Sequence, residues 1–137
     1  MSATPEAVSL ARTAAAGAAE RLGSDIVALD VSAQLVITDV FVVVSASSER
    51  QVAGIVDRIE ELLLERHEAK PVRREGKSGG RWVLLDFADI VVHVFHQEDR
   101  EFYALERLWK DCPVVDVADA VASAEAVSPA DVGSGEE

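Results

Sequence analysis

Hydrophobic positions recur along the first 110 residues with the periods of helices and strands. A helix is predicted at residues 5–22, because Thr4 can cap its start, Pro5 suits the first helical position and Gly23 suits its end. A second helix is predicted from residue 49 to about residue 67, after a capping box formed by Ser48 and Gln51. Its apolar residues follow at three- and four-residue spacing and predict a stripe that covers a sheet: Val52, Ile55, Val56, Ile59, Leu62 and Leu63.

Short runs rich in branched residues predict strands at 25–31, 40–46, 81–86 and 89–96. The segment "PVRREGKSGGRW" is expected to begin as another short strand that leads into a loop rich in Gly and Ser at 76–80. The segment "SAQLVITD" between the first two strands fits either a strand or a buried connection. A last helix is predicted to start near Asp99 and to end before Pro113. Together these elements predict the α/β class, with one mixed β-sheet flanked by helices.

The end of the chain has a different composition from the rest. The segment "VADAVASAEAVS" could form an alanine-rich helix, but it has little bulk with which to dock, and "PADVGSGEE" is typical of a disordered terminus. We therefore expect one folded domain at residues 1–112 and an acidic, disordered tail at residues 113–137.

The two strands at 81–96 predict a hairpin with two distinct faces. If Phe87 and Ala88 form a two-residue loop, Asp86 pairs with Asp89 and Leu84 pairs with Val91. Successive side chains along each strand then point to opposite faces of the hairpin. One face is aliphatic and is expected under the helices: Val83, Leu85, Ile90, Val92 and Val94. The other face can be either a protein interface or a second core layer, and contains Trp82, Leu84, Asp86, Asp89, Val91, His93 and Phe95.

Catalytic and metal-binding patterns are weak in this sequence. His93 and His96 point to opposite faces of one strand, so they cannot share a metal ion, and Cys112 is the only cysteine. Asp25 and Asp30 follow a Gly–Ser pair, as in nucleotidyltransferases, but their five-residue spacing turns them to opposite faces. We expect no metal, no cofactor and no enzymatic activity.

Charge narrows the class of partner. The chain has a net charge of −12. Residues 111–137 contain seven acidic residues and no basic one, so they contribute −7 of this charge. A negative field repels phosphate, so specific nucleic-acid binding is not expected, whereas a basic protein would be attracted. The chain shows no export signal and no apolar run long enough to span a membrane, which favours a cytoplasmic location.

Five blocks of sequence together resemble one family. The blocks are "TDVFVV" at 38–43, "SSERQV" at 47–52, "EG" at 75–76, "WVLLDFADIVVHVF" at 82–95 and "REFYALERLW" at 100–109. In this order they resemble the Iojap family of ribosomal silencing factors, over about residues 5–110. The family usually has glycine at the position of Ala88 and an aromatic residue at that of Val40.

The resemblance implies a fold similar to nucleotidyltransferases without their active site, and a role as a translational repressor during starvation. It implies binding to ribosomal protein fourteen on the intersubunit face of the large subunit, which blocks joining of the small subunit. The partner-binding residues are then expected to be Glu75, Trp82, Leu84, Asp86, Asp89, His93, Arg100 and Tyr103. Two alternatives stay open: a degenerate or unrecognised nucleotidyltransferase, and a homodimer that buries the same hairpin face.

Overall fold

The computed structural model describes residues 2–35, 37–77, 80–98 and 111–126. Along the chain the elements are α1 (Pro5–Glu20), β1 (Ser24–Asp30), β2 (Val40–Ala46), α2 (Glu49–His67), β3 (Arg73–Lys77), β4 (Trp82–Asp86), β5 (Ile90–His96) and α3 (Ala118–Ala126). The five strands form one sheet in the order β1-β2-β5-β4-β3. β2 and β5 are parallel and the other neighbours are antiparallel, which confirms the predicted mixed sheet. The helix predicted near Asp99 lies outside the described residues.

Helix α1 begins as predicted and ends two residues earlier than predicted. Thr4 accepts a hydrogen bond from the backbone N–H of Ala7, and Pro5 occupies the first turn. At the other end Leu22, with φ of 63°, takes the left-handed conformation that we had expected of Gly23. Gly23 has a different role: a Cβ there would lie 2.7 Å from a methyl carbon of Val44. The glycine is required by close packing between the helix end and β2.

Helix α2 has the predicted bounds, but its capping box is modified. Ser48 accepts a hydrogen bond from the backbone N–H of Gln51 at 3.0 Å, as expected. The Gln51 side chain accepts from the N–H of Ser47 rather than from that of Ser48, and its amide donates to the carbonyls of Arg21 and Leu22. One glutamine thus joins the start of α2 to the end of α1.

Both long helices cover the same face of the sheet. One buried cluster joins Ala14 of α1 and Ile59 of α2 to Val42 of β2, and it includes the whole aliphatic hairpin face predicted from the sequence. The segment between β1 and β2 is a connection and not a strand: Gln34 and Leu35 donate backbone hydrogen bonds to the carbonyl of Val31. Because both helices pack on the same face, the opposite face of the sheet is free of α1 and α2.

The predicted hairpin register is wrong by two residues. Leu84 pairs with His93 rather than Val91, and Asp86 pairs with Val91 rather than Asp89. The cause is Phe87, which is only 6 % exposed and joins the main core instead of forming half of a tight turn. Because side chains repeat every two residues, an even shift leaves both predicted faces unchanged.

The expectation that the segment after Pro113 docks weakly is wrong for the residues that the structure describes there. Val114 bridges to Leu29 at the outer edge of β1, with backbone hydrogen bonds of 2.8 Å from Asp30 N–H to the Pro113 carbonyl and from Val115 N–H to the Ala28 carbonyl. Helix α3 then packs on α1 through a small cluster formed by Ala16, Ala19 and Ala124 with Ala120, Val121 and Ile26. Small side chains on both helices permit close approach, so docking does not need bulk. The predicted disorder of residues 127–137 falls outside the described residues.

Candidate protein-binding face of the sheet

The sheet face opposite α1 and α2, called here the outer face, brings together five of the predicted site residues. Paired residues on neighbouring strands share a face, and the pairing gives three rows. The middle row crosses β3, β4, β5, β2 and β1 as Glu75, Leu84, His93, Val43 and Val27. The two rows beside it contain Arg73, Asp86, Val91, Phe41 and Leu29 in one, and Trp82, Phe95 and Ser45 in the other.

Aromatic rings occupy the centre of the outer face. Trp82 stacks on Phe95 with ring centroids 5.1 Å apart, and His93 is stacked against both, at 6.1 Å from Trp82 and 6.0 Å from Phe95. Phe41 meets the His93 ring edge-on at 5.0 Å. Trp82 is half-buried, whereas Phe95 is fully buried. The cluster therefore holds the Trp82 ring on a fixed platform with part of its surface accessible.

His93 supports this platform and offers little contact area of its own. It is 6 % exposed, and among the residues that the structure describes neither ring nitrogen has a hydrogen-bond partner. Burial lowers the pKa of His93 from 6.5 to about 4, because the charged imidazolium loses its hydration. At neutral pH the ring is uncharged and acts as a flat apolar spacer.

An acidic end adjoins the aromatic platform. Arg73 lies 3.2 Å from the Glu75 carboxylate and 3.9 Å from that of Asp86. Asp86 also accepts the N–H of Ala88 at 2.8 Å, and Ala88 has the positive φ, 73°, that glycine adopts more easily. Beyond this turn Asp89 is exposed, while its carbonyl accepts the N–H of Asp39. Arg73 thus forms ion pairs with Glu75 and Asp86, whereas Asp89 is exposed to solvent.

Comparison with known proteins identifies the family. A family model described as "Ribosomal silencing factor during starvation" matches residues 4–135 of the chain. The chain belongs to the ribosomal silencing factor family. A ribosomal silencing factor of Bacillus subtilis is 37% identical over 109 residues, covering 80% of this chain and 92% of that protein. A solved structure of a protein from Chromobacterium violaceum superposes with a TM-score of 0.70 at 31% identity, over 74% of this chain and 84% of the other.

One relative carries a name that mentions ribosome assembly. The mouse protein "Mitochondrial assembly of ribosomal large subunit protein 1" is 33% identical over 87 residues, which cover 62% of this chain and 38% of the mouse protein. The Iojap resemblance found in the sequence is therefore confirmed at the level of the family. The likeness to nucleotidyltransferases stays a prediction.

The aspartates considered for metal chemistry have structural roles in this family member. Asp30 accepts hydrogen bonds from the backbone N–H of Ala3 and from both the N–H and hydroxyl of Ser32, at 2.6–3.0 Å. Burial alone would raise the pKa of Asp30, but these bonds outweigh it and the pKa is lowered. Asp25 sits at a β-bulge with φ of 49°. Within the described ranges no three His, Cys, Asp or Glu side chains are grouped as metal ligands would be.

Two of the predicted site residues, Arg100 and Tyr103, lie outside the described residues. Sequence reasoning missed Phe41 and Arg73, because their place on the outer face depends on the strand order. Among the described helices, none has both the length and the apolarity of a membrane span.

Proposed function

We propose that this protein represses translation by binding a basic protein of the large ribosomal subunit, ribosomal protein fourteen, on the intersubunit face. Binding there blocks joining of the small subunit by steric exclusion, in the cytoplasm of cells short of nutrients. The observation that carries the proposal is the outer face itself: a half-buried tryptophan on a rigid aromatic platform, beside an acidic end.

Interface energetics support this use of the outer face. Binding energy at protein interfaces concentrates in a few residues, with tryptophan prominent among them, set in a well-packed environment. Trp82 meets this description, and half-buried Leu84 adds apolar area in the next row. Two cross-strand neighbours already fix Trp82, so little side-chain entropy is lost when a partner covers it.

Charge supports a basic partner. The chain carries a net charge of −12, and Asp89 presents an exposed carboxylate at the hairpin turn that follows Asp86. Complementary potentials accelerate encounter and orient the partner, and their effect decreases as salt rises. Membership of the silencing-factor family, with the name of the mouse relative, supports the large subunit as the target.

Co-sedimentation of the purified protein with isolated large subunits tests the proposal. Asp89→Lys should weaken binding mainly by slowing association, and the loss should shrink as salt rises. Asp57→Lys is the matched control, since Asp57 is exposed on α2, on the other side of the sheet, and the change in charge is the same. Equal losses in both variants, or no loss in either, would contradict binding through this face.

A second copy of the chain could compete for the same face. Sedimentation of the protein alone at several concentrations separates the two uses. If a homodimer forms, and Trp82→Ala both dissociates it and weakens binding to large subunits, the dimer and the ribosomal protein share the outer face.

A further inference from the structure

A cavity separate from the outer face lies where α1, the C-terminal end of α2 and α3 meet. Its volume is about 270 Å³. Alanines of α1 and α3 leave the space open, and the polar groups at its wall are Arg12, Thr13, Glu20, Arg66 and Ser123. The cavity is on the helical side of the sheet, away from the outer face.

The two arginines of this cavity differ from four other arginines that the structure describes. Arg58, Arg73, Arg74 and Arg81 each form an ion pair with a carboxylate. Within the described part of the chain, Arg12 and Arg66 have no such pair. Glu20 does not neutralise them, because its carboxylate is bound by Arg58 at 2.7 Å. An otherwise acidic protein therefore places in the wall of one cavity two arginines that form no ion pair with a described carboxylate.

Neighbouring contacts fix the wall that carries these cations. The Nε of Arg12 donates to the carbonyl of Asp116 at 3.1 Å, which anchors the side chain at the start of α3 and leaves its Nη groups for a ligand. Thr13, 7 % exposed, is hydrogen-bonded to Nε2 of His67 at 2.8 Å, which ties α1 to the last turn of α2 beside Arg66. The contacts of Arg12 thus involve α1 and the chain just before α3, whereas the exposed Arg66 reaches the cavity from the last turn of α2.

We propose that this cavity binds a small phosphate-bearing anion. Guanidinium groups donate pairs of parallel hydrogen bonds to phosphate oxygens, and two of them match a ligand with two or more negative charges. The hydroxyl of Ser123 adds a donor from α3. The volume lies just below the range of about 300–1,000 Å³ usual for drug-sized ligands, which favours a compact anion.

Binding of the anion stabilises the docked position of α3. The ligand would touch α1, α2 and α3 together, so it binds the docked arrangement in preference to an undocked one. Hydrogen exchange of the amides at 118–124 should therefore slow when the anion is added.

Calorimetric titration of the full chain with inorganic pyrophosphate, at constant ionic strength, tests the site. Arg66→Ala should weaken binding about tenfold or more, and Ser123→Asp should do the same by placing a carboxylate in the cavity. Arg50→Ala is the matched control, because Arg50 is an exposed arginine in the first turn of the same helix, at its far end. It should bind pyrophosphate as the unmodified protein does.

Two results would overturn the proposal. One is the absence of saturable binding up to about 5 mM pyrophosphate, a concentration at which even a weak specific site is occupied. The other is an equal loss in Arg66→Ala and Arg50→Ala, which would show only a general attraction of anions to arginine. Both variants change exposed side chains, and a melting curve for each verifies that the fold is kept.

Discussion

Removal of the Trp82 side chain separates its role in binding from its role in stability. The ring is half-buried and is stacked on Phe95 and His93. Truncating a fully buried tryptophan to alanine costs about 3–5 kcal/mol, so a ring with one open side should cost roughly half of that, about 2 kcal/mol. A domain with a stability of about 5–15 kcal/mol stays folded after such a loss.

The expected effect of Trp82→Ala on binding is larger than its effect on the fold. An anchoring tryptophan contributes about 2–4 kcal/mol, which corresponds to roughly 30- to 1,000-fold in affinity for the large subunit. The melting temperature should fall by about 5–10 °C and the transition should stay cooperative. Thermal melting and co-sedimentation with large subunits, measured on the same preparation, give the two quantities.

Phe95→Ala is the comparison variant. Phe95 belongs to the same stack but is fully buried, so its loss should cost about 3–5 kcal/mol of stability, and it should weaken binding only indirectly, because the support of the Trp82 ring is lost. If Trp82→Ala melts like Phe95→Ala, Trp82 is a core residue. If it folds well and binds large subunits at full strength, the outer face is not the binding surface.

Three further variants test other parts of the structure. Ile59→Asp places a charge at a site that is 0 % exposed and should prevent cooperative folding, measured by circular dichroism. A chain ending at residue 126 should have the melting temperature of the full chain. A chain ending at residue 112 should melt several degrees lower, because it lacks the bridge at Val114 and the docked α3. Equal melting temperatures of the two would show that residues 113–126 add no stability. Because burial lowers the pKa of His93 from 6.5 to about 4, the unfolded chain binds that proton more tightly, and stability should fall as the pH drops from about 6.5 through 4. His93→Phe should lack this part of the fall in denaturant titrations across the window, and an unchanged pH profile would refute the assignment.

Much of the fold could be predicted because its patterns are local. The bounds of β2 and α2 follow from a run of branched residues and from a capped 3.6-residue period, and both were predicted within one residue. The hairpin register could not be predicted, since the decisive event is burial of Phe87 against residues distant in sequence. The two faces were still predicted correctly, because their alternation is unaffected by an even shift.

The candidate site could be predicted only in part. Trp82, Leu84 and Asp86 share a strand, so alternation alone places them on one face. The addition of Phe41 required the parallel pairing of β2 with β5, which no local pattern specifies. Docking of α3 was not predicted, because its alanines offer little apolar bulk. In the structure these alanines pack against the alanines of α1.

The parallel pairing at the centre of the sheet also affects how the chain folds. β2 and β5 pair residue 40 with residue 90, which are 50 positions apart in the chain. Contacts between such distant residues are slow to form, because the closing of a long loop precedes any stabilisation from it. During synthesis, β1 and β2 emerge first and can pair only with each other until β5 has left the exit tunnel, so the apolar edge of β2 stays unprotected for that time. The same ribosome that this protein is proposed to silence therefore determines when its own central strands can meet.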